Sequence, residues 1–468
     1  MHEDICFADA TELARRIRNR EISPVELVHA LLERISAINP KLNAIVTMAD
    51  DVLENARASE QTVMRGDACG PLHGVPFTCK DSFDVAGVRT TCGSKLFEHR
   101  ISGINATAVA RLKGAGAIFL GKTNTPEFTL WWETDNSIFG RTNNPWDLGL
   151  IPGGSSGGEA AALATGLTPL GLGSDVGGSL RMPAHYCGVV GFKPTHGRVP
   201  LTGLLPDVLL RTMHVGPLAR TVRDAALALH IMSGVDDIDP WCIPMDPPAL
   251  PETNAPLKLR VGWLADEVFA PVDPEIQTIV EKASERLRLA GCEVEHVSLP
   301  VLQETNALDI PAITGSLETG YYFEPIVRGR ESELSPVMQR RLAAPWPDVR
   351  NYCKCMADWE TLRRGMAAYF RAYDLLLCPT MPLTAYPHGL RDLCIDGRSI
   401  KARRKLICVN PWNLTGSPAM SVPFGLSSTG LPIGIQLVGR HFREGDIIRA
   451  AMALEKVSDV RDIHPPLS

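Results

Sequence analysis

The chain has 468 residues, 45% of them hydrophobic, with 47 Lys and Arg against 53 Asp and Glu and a formal net charge of −6. That much apolar surface excludes global disorder and is enough to close a large core. The mild acidity, with no basic stripe, argues against a nucleic-acid binder. Met1-His2-Glu3-Asp4 is acidic where an export signal is basic, and no apolar run reaches the length of a membrane span. The 12 cysteines lie apart except for Cys353 and Cys355, with no C-x2-C pair and no supporting His pair. This reads as a cytoplasmic protein with inert, reduced thiols, no membrane association, no metal and no organic cofactor.

The first 65 or so residues read as a helical segment. Ser23-Pro24-Val25-Glu26 combines a Ser cap, Pro at the first helical position and Glu three residues after the Ser. Val25, Val28, Leu32, Ile35 and Ile38 follow at helical spacing, and Asn39-Pro40 is expected to end the helix. From about residue 70, short apolar runs (Val75 to Cys79, Ala117 to Leu120) alternate with Gly-rich turns and helical patterns such as Ala106 to Lys113. Strands alternating with helices predict an α/β fold whose sheet is covered by helices on both faces. Further on, Arg260 to Leu264 and Asp374 to Pro379 read as strands, and Pro274 to Ala290 as a helix. Met420 to Pro423 and Ile433 to Val438 are again strands, and Gly445 to Glu455 is a closing helix. No linker is flexible or low-complexity enough to mark a firm domain boundary.

Gly116 to Thr123 matches the phosphate-loop pattern G-x-x-x-x-G-K-[ST]. The residues between its glycines are apolar and strand-like, so a strand is expected where the phosphate loop would have to be, and the match carries no nucleotide site.

Glycine is the oddity: 40 residues, clustered. Pro152-Gly153-Gly154-Ser155-Ser156-Gly157-Gly158 and Asp175-Val176-Gly177-Gly178-Ser179-Leu180-Arg181 carry two Gly-Gly-Ser units around an Ala-rich helical stretch, Glu159 to Leu167. Small residues let backbone approach a ligand, and successive free amides form the concave donor set an oxyanion needs. A serine nucleophile needs a base. His185 and His196 follow the motif, but a lone His is more often structural. Lys80, directly after the apolar run ending at Cys79, is the alternative: burial disfavours its charged form and leaves a neutral amine.

These stretches resemble the amidase signature family of Ser-Ser-Lys hydrolases. Also similar are Gly74-Val75-Pro76 with Lys80-Asp81, Gly121 to Phe128, Phe139 to Trp146, Gly188 to Thr195, Cys378-Pro379-Thr380 and Leu431 to Gln436. The resemblance implies a mixed twisted sheet between helices, with residues 66–468 as one α/β domain in which 70–225 is the signature core and 231–400 a variable, substrate-shaping region. It implies Ser179 as nucleophile, Ser155 as bridging serine after a cis peptide at Gly154, and Lys80 as base. It implies Val176, Gly177, Gly178 and Ser179 as oxyanion amides, with Ser156, Asp175 and Arg181 in support. As an exposed ion pair, Asp175 and Arg181 would contribute little. The implied activity is hydrolysis of a small-molecule aryl or alkyl amide, with carbamates and cyclic amides open. A homodimer through the N-terminal helices is also left open. Trp131, Trp132 and the segment Leu201 to Leu210, including Leu205, are candidates for the substrate pocket. The glutaminase subunit of a tRNA-dependent amidotransferase is the alternative, against which Met182 weighs, since that subgroup is expected to carry Gln after the Arg. A non-catalytic binding protein is a third reading, opposed by the intact Lys-Ser-Ser set.

Overall fold

Strands whose side chains are buried on both faces carry this fold. The computed structural model describes residues 3–250 and 257–467. Among them the strands are β1 (Ile45–Met48), β2 (Pro76–Lys80), β3 (Ile118–Thr123), β4 (Leu170–Asp175), β5 (Val190–Lys193), β6 (His214–Ala219), β7 (Arg260–Trp263), β8 (Glu293–His296), β9 (Leu375–Pro379), β10 (Asp392–Ile395), β11 (Arg398–Lys401), β12 (Ala419–Leu426) and β13 (Pro432–Gly439). Eleven form one sheet in the order β1-β3-β2-β4-β6-β5-β12-β13-β9-β7-β8, and β10 and β11 form a separate hairpin. β2 is parallel to β3 and β4, and β7 is parallel to β8 and β9. The middle of the sheet, from β4 through β6, β5, β12 and β13 to β9, is antiparallel. This is the mixed sheet between helices that the family resemblance implies.

Every residue of β2, β3, β4, β9 and β13 is buried, which requires cover on both faces. Helix Arg181–Cys187 packs on β5, β12 and β13, Glu444–Glu455 on β12 and β13, Gly157–Ala164 on β4, and Pro274–Leu289 on β9. The edge strand β8 exposes Glu293, Glu295 and His296, charged and polar side chains of the kind that discourage a further strand from pairing there.

Two expectations change. The N-terminal segment is not wholly helical, because β1 pairs antiparallel with β3 and forms an edge of the main sheet. Nor does Asn39-Pro40 end its helix, which runs Pro24–Leu42 and stops at Asn43 in the left-handed region. Pro40 falls in the last turn, where it removes a single hydrogen bond. Asn39 Oδ1 then accepts from the amides of Ala44 and Ile45 at 2.9 Å and ties down the exit. The phosphate-loop pattern dissolves as expected: Gly121, Lys122 and Thr123 lie within β3, and Lys122 Nζ is buried on Phe83 O and Thr90 Oγ1.

Candidate active site

β2 and β4 run parallel side by side, in a register that pairs Cys79 with Leu172. Their C-terminal ends therefore bring Lys80 and the Ser174-Asp175 pair to one edge of the sheet, the position where α/β sheets place ligands. Lys80 is fully buried, and its Nζ donates to Ser155 Oγ at 2.6 Å and Ser174 Oγ at 3.0 Å. Burial lowers its pKa from 10.5 to about 7. Ser155 lies in the loop before helix Gly157–Ala164, after a cis peptide bond from Gly154. A side chain at Gly154 would sit 2.9 Å from the Trp132 carbonyl carbon, so only glycine lets these two backbones meet.

Ser179 lies two residues before helix Arg181–Cys187, separated from it by the cap residue Leu180. The Ser156 amide donates to Ser179 O at 3.3 Å, which sets the two serine loops side by side. Ser156 Oγ donates to Ser174 O at 3.3 Å. Ser179 lines a cavity of about 390 Å³, and neither Ser155 nor Lys80 does; both lie buried behind it. The volume is within the range of small-molecule sites, roughly 300–1,000 Å³.

Asp175 shapes the turn that carries Ser179. Its carboxylate accepts from the amides of Gly178 (2.7 Å) and Leu180 (3.1 Å), from Arg181 Nε and Nη2 (both 3.0 Å), and from Asn413 Nδ2 (2.8 Å). Burial alone would raise this carboxyl, but the Arg181 guanidinium overrides it and holds the group well below the usual carboxylate range. The Arg181 fork is saturated, because its remaining N–H groups reach Asn413 Oδ1, Gln436 Oε1 and Val409 O. Asp175 and Arg181 are each 0% exposed, so the pair is not the weak surface contact the sequence allowed for.

The four amides expected at the oxyanion position are not equivalent. Gly178 N is committed to Asp175. Those of Val176, Gly177 and Ser179 donate to no protein group among the described residues. Gly178 has φ of +110°, and a side chain there would approach Val409 Cγ2 to 2.5 Å.

Trp131 and Trp132 stack at 3.7 Å and line the cavity. Leu205 does not: it packs in the cluster of Phe128, Val208 and Phe323, and its carbonyl accepts from Cys92 Sγ. From the same segment it is Leu209 that lines the cavity. His185 is buried between the backbones of Gly434, whose amide donates to Nδ1 at 3.0 Å, and Leu383, whose carbonyl lies 3.2 Å from Nε2, and burial lowers its pKa to about 4. His196 bonds Leu210 O. Both are held by backbone, as read from the sequence.

Sequence reasoning missed several residues. Ser174, the second partner of Lys80, was legible only as part of a Gly-Ser run. Glu159, buried on the hydroxyls of Thr78 and Thr123, ties helix Gly157–Ala164 to β2 and β3; burial raises it to about 8. Asn413 is distant in sequence and carries no motif signal of its own. No cluster of His, Cys, Asp and Glu able to hold a metal ion occurs among the described residues, nor is any helix there long and apolar enough to cross a membrane.

A match to the amidase family spans residues 26–448. The chain belongs to this family. The A subunit of the glutamyl-tRNA(Gln) amidotransferase from Roseiflexus sp. (strain RS-1) is 37% identical over 495 residues, covering 99% of this chain and 98% of its own. Among solved structures, a 6-aminohexanoate cyclic dimer hydrolase complexed with substrate is similar with TM-score 0.88 at 31% identity, over 99% of each chain. The A subunit of the glutamyl-tRNA(Gln) amidotransferase from Thermotoga maritima is similar with TM-score 0.76 at 30% identity, over 97% of this chain and 96% of its own.

Proposed function

We propose that this amidase-family chain cleaves the C–N bond of an amide by acyl transfer, with Ser179 as nucleophile, Ser155 as proton bridge and Lys80 as base. The observation that carries the reading is the buried 2.6 Å hydrogen bond between Ser155 and a lysine whose pKa lies near 7. A neutral amine in that place accepts a proton from Ser155, which accepts one from Ser179. Ser179 attacks the carbonyl, and the oxyanion is received by the free amides of Val176, Gly177 and Ser179, held ready before the charge appears. The proton returns through Ser155 to the leaving nitrogen, which makes it a viable leaving group. Water then attacks the acyl-enzyme. Asp175 and Arg181 hold the loop and touch no substrate.

Two substrate readings have support. The amidotransferase relatives favour ammonia release from glutamine within an assembly of several chains. The apolar and aromatic lining, including Trp131, Trp132, Met182 and Leu209, supports an aryl or alkyl amide taken by the chain alone, and the higher TM-score of the cyclic dimer hydrolase points the same way. The curated relatives weigh towards the first. Covalent labelling by a fluorophosphonate probe tests the shared mechanism: a folded protein that reacts elsewhere than Ser179, or not at all, contradicts it. Assaying the isolated chain on glutamine, anilides and alkyl amides separates the two substrates. Glutaminase activity that appears only with partner subunits decides for the first, and turnover of anilides by the chain alone decides for the second.

A further inference from the structure

The cavity that Ser179 opens onto is chemically uneven. Its apolar and aromatic lining is joined by three arginines, Arg211, Arg341 and Arg403, and by a single carboxylate, Glu318. Two of the arginines have an acid to answer them. Arg403 forms an ion pair with Asp309 at 3.2 Å. Arg211 lies close enough to Glu318 to oppose the rise that burial imposes on that carboxyl.

Arg341 has no such counterpart. It projects from helix Pro336–Leu342, and among the described residues it joins no ion pair. Its Nε donates to Thr319 Oγ1 at 3.3 Å, and its terminal N–H groups find no protein acceptor there. Its Nη2 lies beside Gly315, where a side chain would sit 3.4 Å away; glycine leaves that space open, and Gly315 also lines the cavity. Burial lowers the pKa of Arg341, with no acid opposing the effect. A guanidinium stays charged at any working pH. A partly buried charge without a partner is costly, and its planar fork is shaped for two parallel hydrogen bonds to a carboxylate.

We propose that Arg341 is a substrate-recognition residue and that the amide cleaved here carries a carboxylate in addition to the scissile bond. One unanswered guanidinium matches one singly charged anion, whereas a phosphate dianion would leave negative charge in excess in a largely apolar cavity. The proposal rests on the acyl-transfer reading and deepens it. It applies to either substrate reading, since glutamine is itself a carboxylate-bearing amide.

Three primary amides test it: pentanamide, glutaramate and glutamine, with ammonia release as the common readout. Wild-type protein should prefer glutaramate over pentanamide by at least tenfold in kcat/KM. In Arg341→Gln that ratio should fall to about one, through KM. Arg340→Gln, an equal charge change at the exposed neighbour, should keep the wild-type ratio. Equal turnover of the two amides by wild type overturns the proposal, as does the same loss of preference in Arg340→Gln. If Arg341→Gln fails to fold, Arg341→Lys keeps the charge and loses the fork, and the ratio should drop at least threefold. If no amide of the three is turned over, calorimetry with glutarate decides: wild type should bind it at least tenfold more tightly than Arg341→Gln, and no binding overturns the proposal. Glutamine, which adds an ammonium, shows whether Glu318 favours a zwitterion; it too should lose kcat/KM in Arg341→Gln, and no loss counts against the proposal. Fluorophosphonate labelling of Ser179 in each variant reports separately on the mechanism. Labelling without carboxylate preference sinks only this proposal, whereas absent labelling sinks the mechanism beneath it.

Discussion

Two regions face each other across the cavity, and they are built differently. On the sheet side, Lys80, Ser155, Asp175 and Arg181 are almost wholly buried and bonded to one another or to neighbouring loops, and the Arg181 fork has no free donor. On the other side, helices Asp309–Val327 and Pro336–Leu342 expose Tyr321 (75%) and the following loop exposes Trp346 (53%), and Arg341 is left without an acid. A saturated network tolerates little change, so the proposed chemistry falls where the structure is over-determined. The proposed selectivity falls where a charge is still available to a ligand, on a side that can vary without disturbing the proposed reacting groups.

The strongest test of this contrast is on the sheet side. Ser179→Ala should lower amide turnover by about 10⁴-fold or more, as loss of a nucleophile does, with an unchanged thermal midpoint. Wild-type turnover in a folded variant would sink the assignment. Arg181→Met should destabilise by about 3–5 kcal/mol in urea unfolding, the usual consequence of leaving a buried carboxylate unpaired. A change under about 1 kcal/mol, the worth of an exposed pair, would mean that the Asp175 turn is held by its amides alone.

The pH profile comes next in size. Lys80 acts as base only when neutral, so kcat/KM should fall about tenfold per pH unit below its pKa of about 7 and level off above it. A profile flat from mildly acid to mildly alkaline pH would remove Lys80 from the proton path. The same shift has a stability sign. Between about 7 and 10.5 the lysine is neutral when folded and charged when unfolded, so the unfolded chain binds the extra proton. Stability therefore falls as pH drops through that window, and Lys80→Met should remove this slope.

The contrast also explains what the sequence could and could not disclose. The sheet side was legible because backbone constraints write themselves as residue type: Gly154 and Gly178 stand where a side chain would collide with Trp132 backbone or with Val409. Lys80 was legible because it ends a strand buried on both faces. The partners that saturate the network were not, because Asn413 and Gln436 reach Arg181 across more than 230 residues of chain, and no local pattern encodes that meeting. Gly178 shows the limit within a motif. Its position predicted a free amide, yet the neighbouring Asp175 side chain takes it, and side-chain reach is invisible in a string of small residues. On the cavity's far side even Arg341 reads as an ordinary helix-surface arginine, and only its lack of a counter-charge sets it apart.

The smallest expected effect lies there too. Tyr321 belongs to helix Asp309–Val327, which buries Ile310, Thr314, Phe323 and Val327 on another face. Phe323 packs tilted against Phe128 with ring centroids 4.3 Å apart, and the Tyr322 hydroxyl accepts from the Asp207 amide at 3.2 Å, so the two residues that follow Tyr321 anchor the helix while Tyr321 itself is exposed. Tyr321→Ala should therefore change stability by no more than about 0.5 kcal/mol, as surface substitutions do, and leave kcat/KM for a primary amide within twofold. A larger loss of activity with unchanged stability would mean that this exposed face is engaged during turnover. The division between a fixed reacting side and a permissive selecting side would then fail at its outermost residue.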